Sequence, residues 1–224
     1  MRPWELLDSS PVAGEAKEMK LYRRGDEYSI KTGYAELMNS RMHSSEDVLA
    51  ELGCKHIRHT PQAKVLIGGL GMGFTLAETL KHTHQNAEVM VAELVPAVIQ
   101  WNRSYLAELA GNPLKDKRVS LYQGDVGELM REHRDTYDAI LLDVDNGPEG
   151  LTRQENAALY SPQGLKAAIA ALKPKGVLGV WSAFPEPRFT KRMKQAGFET
   201  QEVPCRAFGK KGSKHMIWLG VNAK

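Results

Sequence analysis

Val65-Leu66-Ile67-Gly68-Gly69-Leu70-Gly71-Met72-Gly73-Phe74 is the stretch that settles the architecture. Val65 to Ile67 reads as a short buried strand, and Phe74 to Leu80 begins a helix. Gly69, Gly71 and Gly73 alternate between them. Glycine at such a junction permits a tight turn with unusual dihedrals and lets backbone approach a ligand at the start of the next helix. A glycine triplet alone is weak. Its place between strand and helix makes it informative.

Outward from this turn the chain repeats strand, turn and helix, the pattern of a parallel sheet covered on both faces. Further strands are expected at Glu88 to Glu93, Val119 to Tyr122, Tyr137 to Leu142 and Val177 to Trp181, with Tyr137 to Leu142 the most apolar and therefore central. The intervening helices are expected from Pro96 to Leu109, Val126 to Glu132, Lys166 to Leu172 and Pro187 to Ala196. Thr200 to Val203 and His215 to Val221 predict an antiparallel edge pair. Upstream, Glu18 to Arg24 and Glu27 to Lys31 flank Gly25-Asp26 as a hairpin, with a third strand from Tyr34 to Met38. Ser44-Ser45-Glu46-Asp47 opens a short helix whose stripe is Val48, Leu49 and Leu52. The division predicted is a hairpin and helix unit over residues 1–60, then an α/β domain over residues 61–224.

Composition narrows the class. The 224 residues carry 30 Lys plus Arg against 27 Asp plus Glu and are 42% hydrophobic, as in a globular protein able to bury its own core. Cys54 and Cys205 lie far apart with no metal-ligand spacing, so a zinc site or secreted disulfide scaffold is not expected. No run approaches a membrane span, and the start lacks the apolar core of a signal peptide, which predicts a cytoplasmic protein without a membrane partner. A net charge of +3 is too small to imply a nucleic-acid partner.

Two acids follow the glycines at telling places. Glu93 ends the second strand about 20 residues on, where a carboxylate can accept both hydroxyls of an adenosyl ribose, with Leu94 beside it. Asp125, after Gly124 at the end of the third strand, could accept an adenine amino group while Val126 gives apolar contact. The glycines lack the GxGxxG spacing of dinucleotide sites, which disfavours NAD(P). Asp143 and Asp145 follow the central strand, at the edge where open parallel sheets bind ligands.

These residues resemble the class I S-adenosylmethionine-dependent transferases, most closely the spermidine synthase group. The resemblance includes the hairpin unit, Ile67 to Leu76, Glu93, Gly124-Asp125 and Tyr137 to Asp143, and it covers nearly the whole chain. It implies the Rossmann-like class I methyltransferase fold, a seven-stranded mostly parallel sheet preceded by the hairpin unit. It also implies donor contacts from Gly69, Leu70, Gly71, Gly73, Glu93, Leu94, Asp125, Val126 and Asp143, a pocket closed near Leu159-Tyr160, and a homodimer.

The chain departs from the family pattern at three points. Gly71 replaces an acid of the glycine loop. Asp143-Val144-Asp145-Asn146-Gly147-Pro148 replaces the D-S-S/T-D-P run that supplies the base. Glu36 and Ser45-Glu46 stand where the donor-binding segment carries a Gln and a Tyr-His pair. Loss of the loop acid removes a repulsion that the carboxylate of ordinary S-adenosylmethionine would meet. Methyl transfer from S-adenosylmethionine to a small-molecule acceptor is therefore the expected reaction, with Asp143, Asp145 and Asn146 as the catalytic set. Polyamine aminopropyl transfer from decarboxylated S-adenosylmethionine is the alternative, and a catalytically inactive donor-binding subunit is a third. Substrate contacts are expected from Glu36, Tyr160 and Trp181, although Trp181 equally suits loop packing. Asp143 and Asp145 also suit magnesium, but no second ligand cluster accompanies them and no metal is expected. The histidine pairs at 56 and 59 and at 82 and 84 read as surface residues, and Arg206, Lys210, Lys211 and Lys214 as a solvated loop.

Overall fold

The computed structural model describes residues 2–11, 18–144, 158–209 and 211–224. Four antiparallel strands come first: β1 (Glu5–Pro11), β2 (Glu18–Arg24), β3 (Glu27–Thr32) and β4 (Ala35–Asn39) form one sheet in chain order. The hairpin about Gly25 and the third strand stand as expected from the sequence. β1 was not expected, since Glu5 to Pro11 shows no clean alternation; it pairs at the sheet edge with a register shift between Leu6 and Asp8.

Helix α1 (Ser44–Cys54) follows, capped at His43 rather than at Ser44. The α/β portion then runs β5 (Lys64–Gly68), α2 (Phe74–Lys81), β6 (Glu88–Glu93), α3 (Pro96–Arg103), β7 (Val119–Gln123), α4 (Val126–Glu132) and β8 (Tyr137–Leu142). It continues as α5 (Pro162–Ala171), β9 (Leu172–Ser182), α6 (Pro187–Ala196), β10 (Phe198–Phe208) and β11 (Lys211–Asn222). The seven strands lie in the order β10-β11-β9-β8-β5-β6-β7. β7, β6, β5, β8 and β9 are parallel, and β11 and β10 are antiparallel additions. β11 is interior, held between β9 and β10, so the expected edge pair presents only β10 as an edge. α3 stops at Arg103 instead of continuing to Leu109, because Ser104 leaves helical dihedrals with φ −127° and ψ −97°.

Period-two alternation sorts the core onto two faces. Val65 and Ile67 of β5 and Leu141 of β8 face one cluster with Leu49 of α1, while Leu66, Ile140 and Leu142 face the other with Phe189 and Trp218. Leu21 and Ile30 of the small sheet belong to the first cluster, so that sheet docks on the α1 side. α1 packs on the larger sheet: a Cβ on Gly53 would lie 2.3 Å from Leu141 Cδ2, a closeness only glycine allows. No helix of the described residues is long and apolar enough to cross a membrane.

The chain runs outward from β5 to β6 and β7, then returns to β8 on the other side of β5. Strand order reverses there, and ligands of open α/β sheets bind at the carboxyl ends of the strands at such a point. The glycine turn sits at that edge. Gly69 has φ +90°, and a Cβ on it would come 2.3 Å from the carbonyl oxygen of Asp143, a backbone atom that cannot swing aside. Gly69→Ala is therefore expected to cost about 2–4 kcal/mol from left-handed strain plus the clash. Differential scanning calorimetry should show this as a fall in Tm of roughly 5–15 °C.

Candidate functional site

A narrow cleft opens at the switch point. Its floor is the glycine turn at Leu70, Gly71 and Met72 with Phe74 and Thr75 of α2. Asp143 closes it from the end of β8, Glu46 from the first turn of α1, and Met38 and Asn39 from β4. Two separate elements, α1 and the end of β8, thus bring two carboxylates against one turn.

Asp143 continues β8 into the sheet edge, its N–H donating to Gly68 O at 2.9 Å. Thr75 Oγ1 donates to its Oδ2 at 2.6 Å. Burial raises the Asp143 carboxyl above the usual range, against the lowering effect of Thr75. Glu46 accepts from Ser45 Oγ at 2.6 Å. Burial, and then the neighbouring Asp143 charge, raise Glu46 as well. Two like charges in a poorly solvated cleft resist joint ionisation, so the pair holds a proton that a ligand cation can replace. No lysine or arginine lines the cleft among the described residues.

The surroundings are fixed by short bonds. Asn102 Nδ2 donates to Gly71 O at 2.8 Å and to Val98 O at 2.9 Å, pinning the turn to α3. Asn39 donates to Glu27 Oε1 at 3.0 Å, and the hydrogen bond from Arg24 holds Glu27 below the usual carboxylate range. The His43 ring stacks on Phe74 with centroids 4.0 Å apart, and a hydrogen bond from its Nδ1 to Asp47 at 3.0 Å raises its pKa. At Gly71, with φ +53°, an added Cβ would meet the Met38 thioether at 2.8–2.9 Å. Met38 fills the space that a side chain on the loop would occupy.

The expected donor contacts divide. Glu93 is 7% exposed; its Oε2 accepts from Leu70 N–H at 2.9 Å and its Oε1 from Val95 N–H at 2.7 Å, so it already braces the glycine turn. The backbone N–H groups of Gly71 and Leu94 also act on this carboxylate, so a ligand hydroxyl would share it with the turn. Leu94 beside it is 40% exposed, while Val126 is buried. Asp125 caps α4 by accepting from Gly127 N–H at 2.8 Å and lies 3.5 Å from Arg131 Nη2. Its cap competes with the adenine role.

The acceptor side differs more from expectation. Glu36 lies exposed on β4, accepting from Ser29 Oγ at 2.6 Å, and does not line the cleft; its neighbours Met38 and Asn39 do. Tyr160 is fully buried in the second core cluster, its hydroxyl donating to Val144 O at 3.4 Å, so it supports the segment after β8 from below. Trp181 is 8% exposed and packs edge-on to His215 with centroids 4.8 Å apart. Its Nε1 has no hydrogen-bond partner among the described residues. Asp145 and Asn146 lie outside the described residues. Glu46 was read only as a departure from a pattern, and His215 only as part of a strand. The acid in the first turn of α1 was the available signal. A larger cleft at the amino ends of β5 to β8, lined by Lys64, Lys117 and Arg118, is on the edge away from the glycine turn.

Comparison with known proteins places this geometry. A family model described as the spermine/spermidine synthase domain matches residues 42–195. A polyamine aminopropyltransferase of Prochlorococcus marinus (strain MIT 9301) is 30% identical over 126 residues, 56% of this chain and 42% of that protein. One from Saccharolobus islandicus (strain L.S.2.15 / Lassen #1) is 40% identical over 84 residues, 38% of this chain and 28% of that protein. The matched region is thus less than half the length of either relative. The crystal structure of spermidine synthase from Thermotoga maritima superposes with a TM-score of 0.76 at 19% identity, covering 97% of this chain and 72% of that one, a likeness of fold. The expectation of a methyltransferase using S-adenosylmethionine is overturned: the curated relatives are named for aminopropyl transfer. The inference from Gly71 counted only the acid absent from the loop, whereas the same cleft receives Glu46 from α1. With the family model spanning more than half of its length, the chain belongs to the spermine/spermidine synthase domain family.

Proposed function

We propose that this chain catalyses aminopropyl transfer from decarboxylated S-adenosylmethionine to an amine acceptor. The observation that carries the reading is the Asp143 and Glu46 pair, two carboxylates facing one cleft with no lysine or arginine in its lining among the described residues. The decarboxylated donor ends in an ammonium and has no carboxylate, and amine acceptors are cations at neutral pH. Both suit such a cleft, whereas the carboxylate of S-adenosylmethionine would be repelled.

In this reading Glu93 shares its carboxylate between the glycine turn and the donor ribose, and Leu94 and Val126 flank the base, with Asp125 at its edge. Gly69, Leu70, Gly71 and Gly73 let the backbone pass close to the donor. The acceptor nitrogen attacks the carbon beside the sulfonium; a C–N bond forms as the C–S bond breaks, and methylthioadenosine leaves as a neutral thioether. The nitrogen must shed a proton to react, and a carboxylate of the pair receives it. Holding both reactants in line supplies the remaining acceleration.

The purified protein, incubated with decarboxylated S-adenosylmethionine and a panel of di- and triamines, is expected to release methylthioadenosine together with an aminopropylated amine, detected by mass spectrometry. Donor that stays intact with every amine would refute the reading.

A further inference from the structure

Glu46 is wired to a residue that the reaction as described does not use. Ser45 Oγ lies 2.6 Å from Glu46 Oε2 and 2.9 Å from His215 Nδ1, across 170 positions of sequence. Ser45 is fully buried, and His215 on β11 is half-buried, opposite Cys205 in the β10–β11 pairing and against the Trp181 edge. A buried hydroxyl joining a carboxylate to an imidazole that reaches partway to solvent is a proton wire in geometry.

A serine hydroxyl has one proton and two lone pairs. With Glu46 ionised, Ser45 donates to Glu46 and accepts from His215 Nδ1–H, so the neutral imidazole carries its proton on Nδ1. With Glu46 protonated, the carboxyl donates to Ser45, the hydroxyl turns to donate to His215 Nδ1, and the imidazole carries its proton on Nε2. The protonation state of Glu46 and the tautomer of His215 are one variable.

We propose that Ser45 and His215 form a proton relay that carries the proton taken by Glu46 from the acceptor amine out to solvent. The source of the proton rests on the aminopropyl-transfer reading. The amine N–H bond breaks as the Glu46 O–H bond forms. The imidazole, Nδ1–H while Glu46 was ionised, exchanges with solvent to its Nε2–H tautomer, one proton taken at Nε2 and one lost from Nδ1; Glu46 then passes its proton to Ser45 Oγ while the serine proton moves to the bare His215 Nδ1 and the Nε2 proton leaves to water. The relay ends with Glu46 ionised and His215 as the Nδ1–H tautomer, one proton having crossed. Burial lowers the His215 pKa, which keeps the imidazole neutral at rest and ready to release. The other groups acting on Glu46 are Asp143 from β8 and His43 before α1, with the Cys205 thiol of β10 close by and kept neutral by its own burial. Ser45 and His215 are positioning residues, since neither touches the reacting atoms.

Long-range 1H–15N correlation spectra of uniformly 15N-labelled protein read the tautomer directly. The expected result is a change of His215 from Nε2–H to Nδ1–H as pH rises through the Glu46 titration, near pH 8. Ser45→Ala and Glu46→Gln should each abolish that change, and Ser45→Thr, which keeps the hydroxyl, should retain it. A single tautomer across this range, or an unchanged response in Ser45→Ala, overturns the relay. In turnover, Ser45→Ala should lower kcat by about 10-fold to 100-fold, with KM for the amine near wild type and Ser45→Thr restoring the rate. A change in KM alone would mark a merely structural role and overturn the relay. The spectra need no turnover, so a wild-type protein that forms no methylthioadenosine sinks the aminopropyl reading while the tautomer still decides the relay.

Discussion

Asp143→Asn is expected to lower methylthioadenosine formation by about 100-fold to 10,000-fold, the usual worth of the base step that it supports: the Asp143 charge raises the Glu46 carboxylate that takes the proton. The amide keeps the hydrogen bond from Thr75 and fits the same space, but it neither raises Glu46 nor neutralises an ammonium. The same change is expected to stabilise the protein. A carboxyl whose folded pKa is raised disfavours folding increasingly as pH climbs from its unfolded value of 3.8 to its folded value of about 6, and that cost persists above. Asparagine removes it, a gain of about 1–2 kcal/mol at pH 8 after allowance for the water that reaches the cleft. Thermal melts should therefore show a variant that is more stable at pH 8 and unchanged at pH 3, while the rate collapses. A variant with near-normal turnover would reduce Asp143 to a structural role. On the proposed function, cost to folding and use in the reaction meet at this residue, as they do at strained or desolvated active sites generally.

Glu46→Gln is expected to weaken binding of the amine-bearing substrates by about 30-fold to 1,000-fold, the effect of removing one partner from a partly desolvated charge pair. Its pH dependence carries the sharper signature. Below the raised carboxyl values both groups are protonated and attract a cation poorly; as pH rises through about 6 the pair gains one negative charge and through about 8 a second, and affinity for an ammonium increases. Wild-type affinity for the decarboxylated donor should therefore climb across that interval. In Glu46→Gln the upper part of the climb should disappear. Isothermal titrations at several pH values measure both effects, and an identical profile in the variant would remove Glu46 from the site.

Much of this fold could be read locally. The glycine turn, Glu93 at the end of β6, the Val126 start of α4 and the Pro187 start of α6 are set by neighbours within a few positions, and each stands where the sequence places it. β1 escaped because Asp8-Ser9-Ser10-Pro11 breaks the alternation and pairing with β2 alone defines it. The reach of α3 was overestimated because Leu106 and Leu109 keep helical spacing although Ser104 ends the helix. The candidate cleft was only half legible. Its turn and Asp143 are marked by motif, but Glu46 arrives from α1, and Ser45 beside it bonds to His215 of β11 across most of the chain, contacts that no local pattern encodes. Glu36 shows the converse: the resemblance implies a substrate contact there, and the geometry of β4 leaves it exposed, bonded to Ser29 and outside the cleft lining.

The central claim is that this cleft selects a donor with a cationic, carboxylate-free tail. Isothermal titration at about pH 8.5, comparing decarboxylated S-adenosylmethionine with S-adenosylmethionine itself, tests it without need of an acceptor. The account predicts that the decarboxylated donor binds at least about 10-fold more tightly, a difference of about 1.4 kcal/mol or more, and that Glu46→Gln erases most of that preference. Equal affinity, or tighter binding of S-adenosylmethionine, would contradict it.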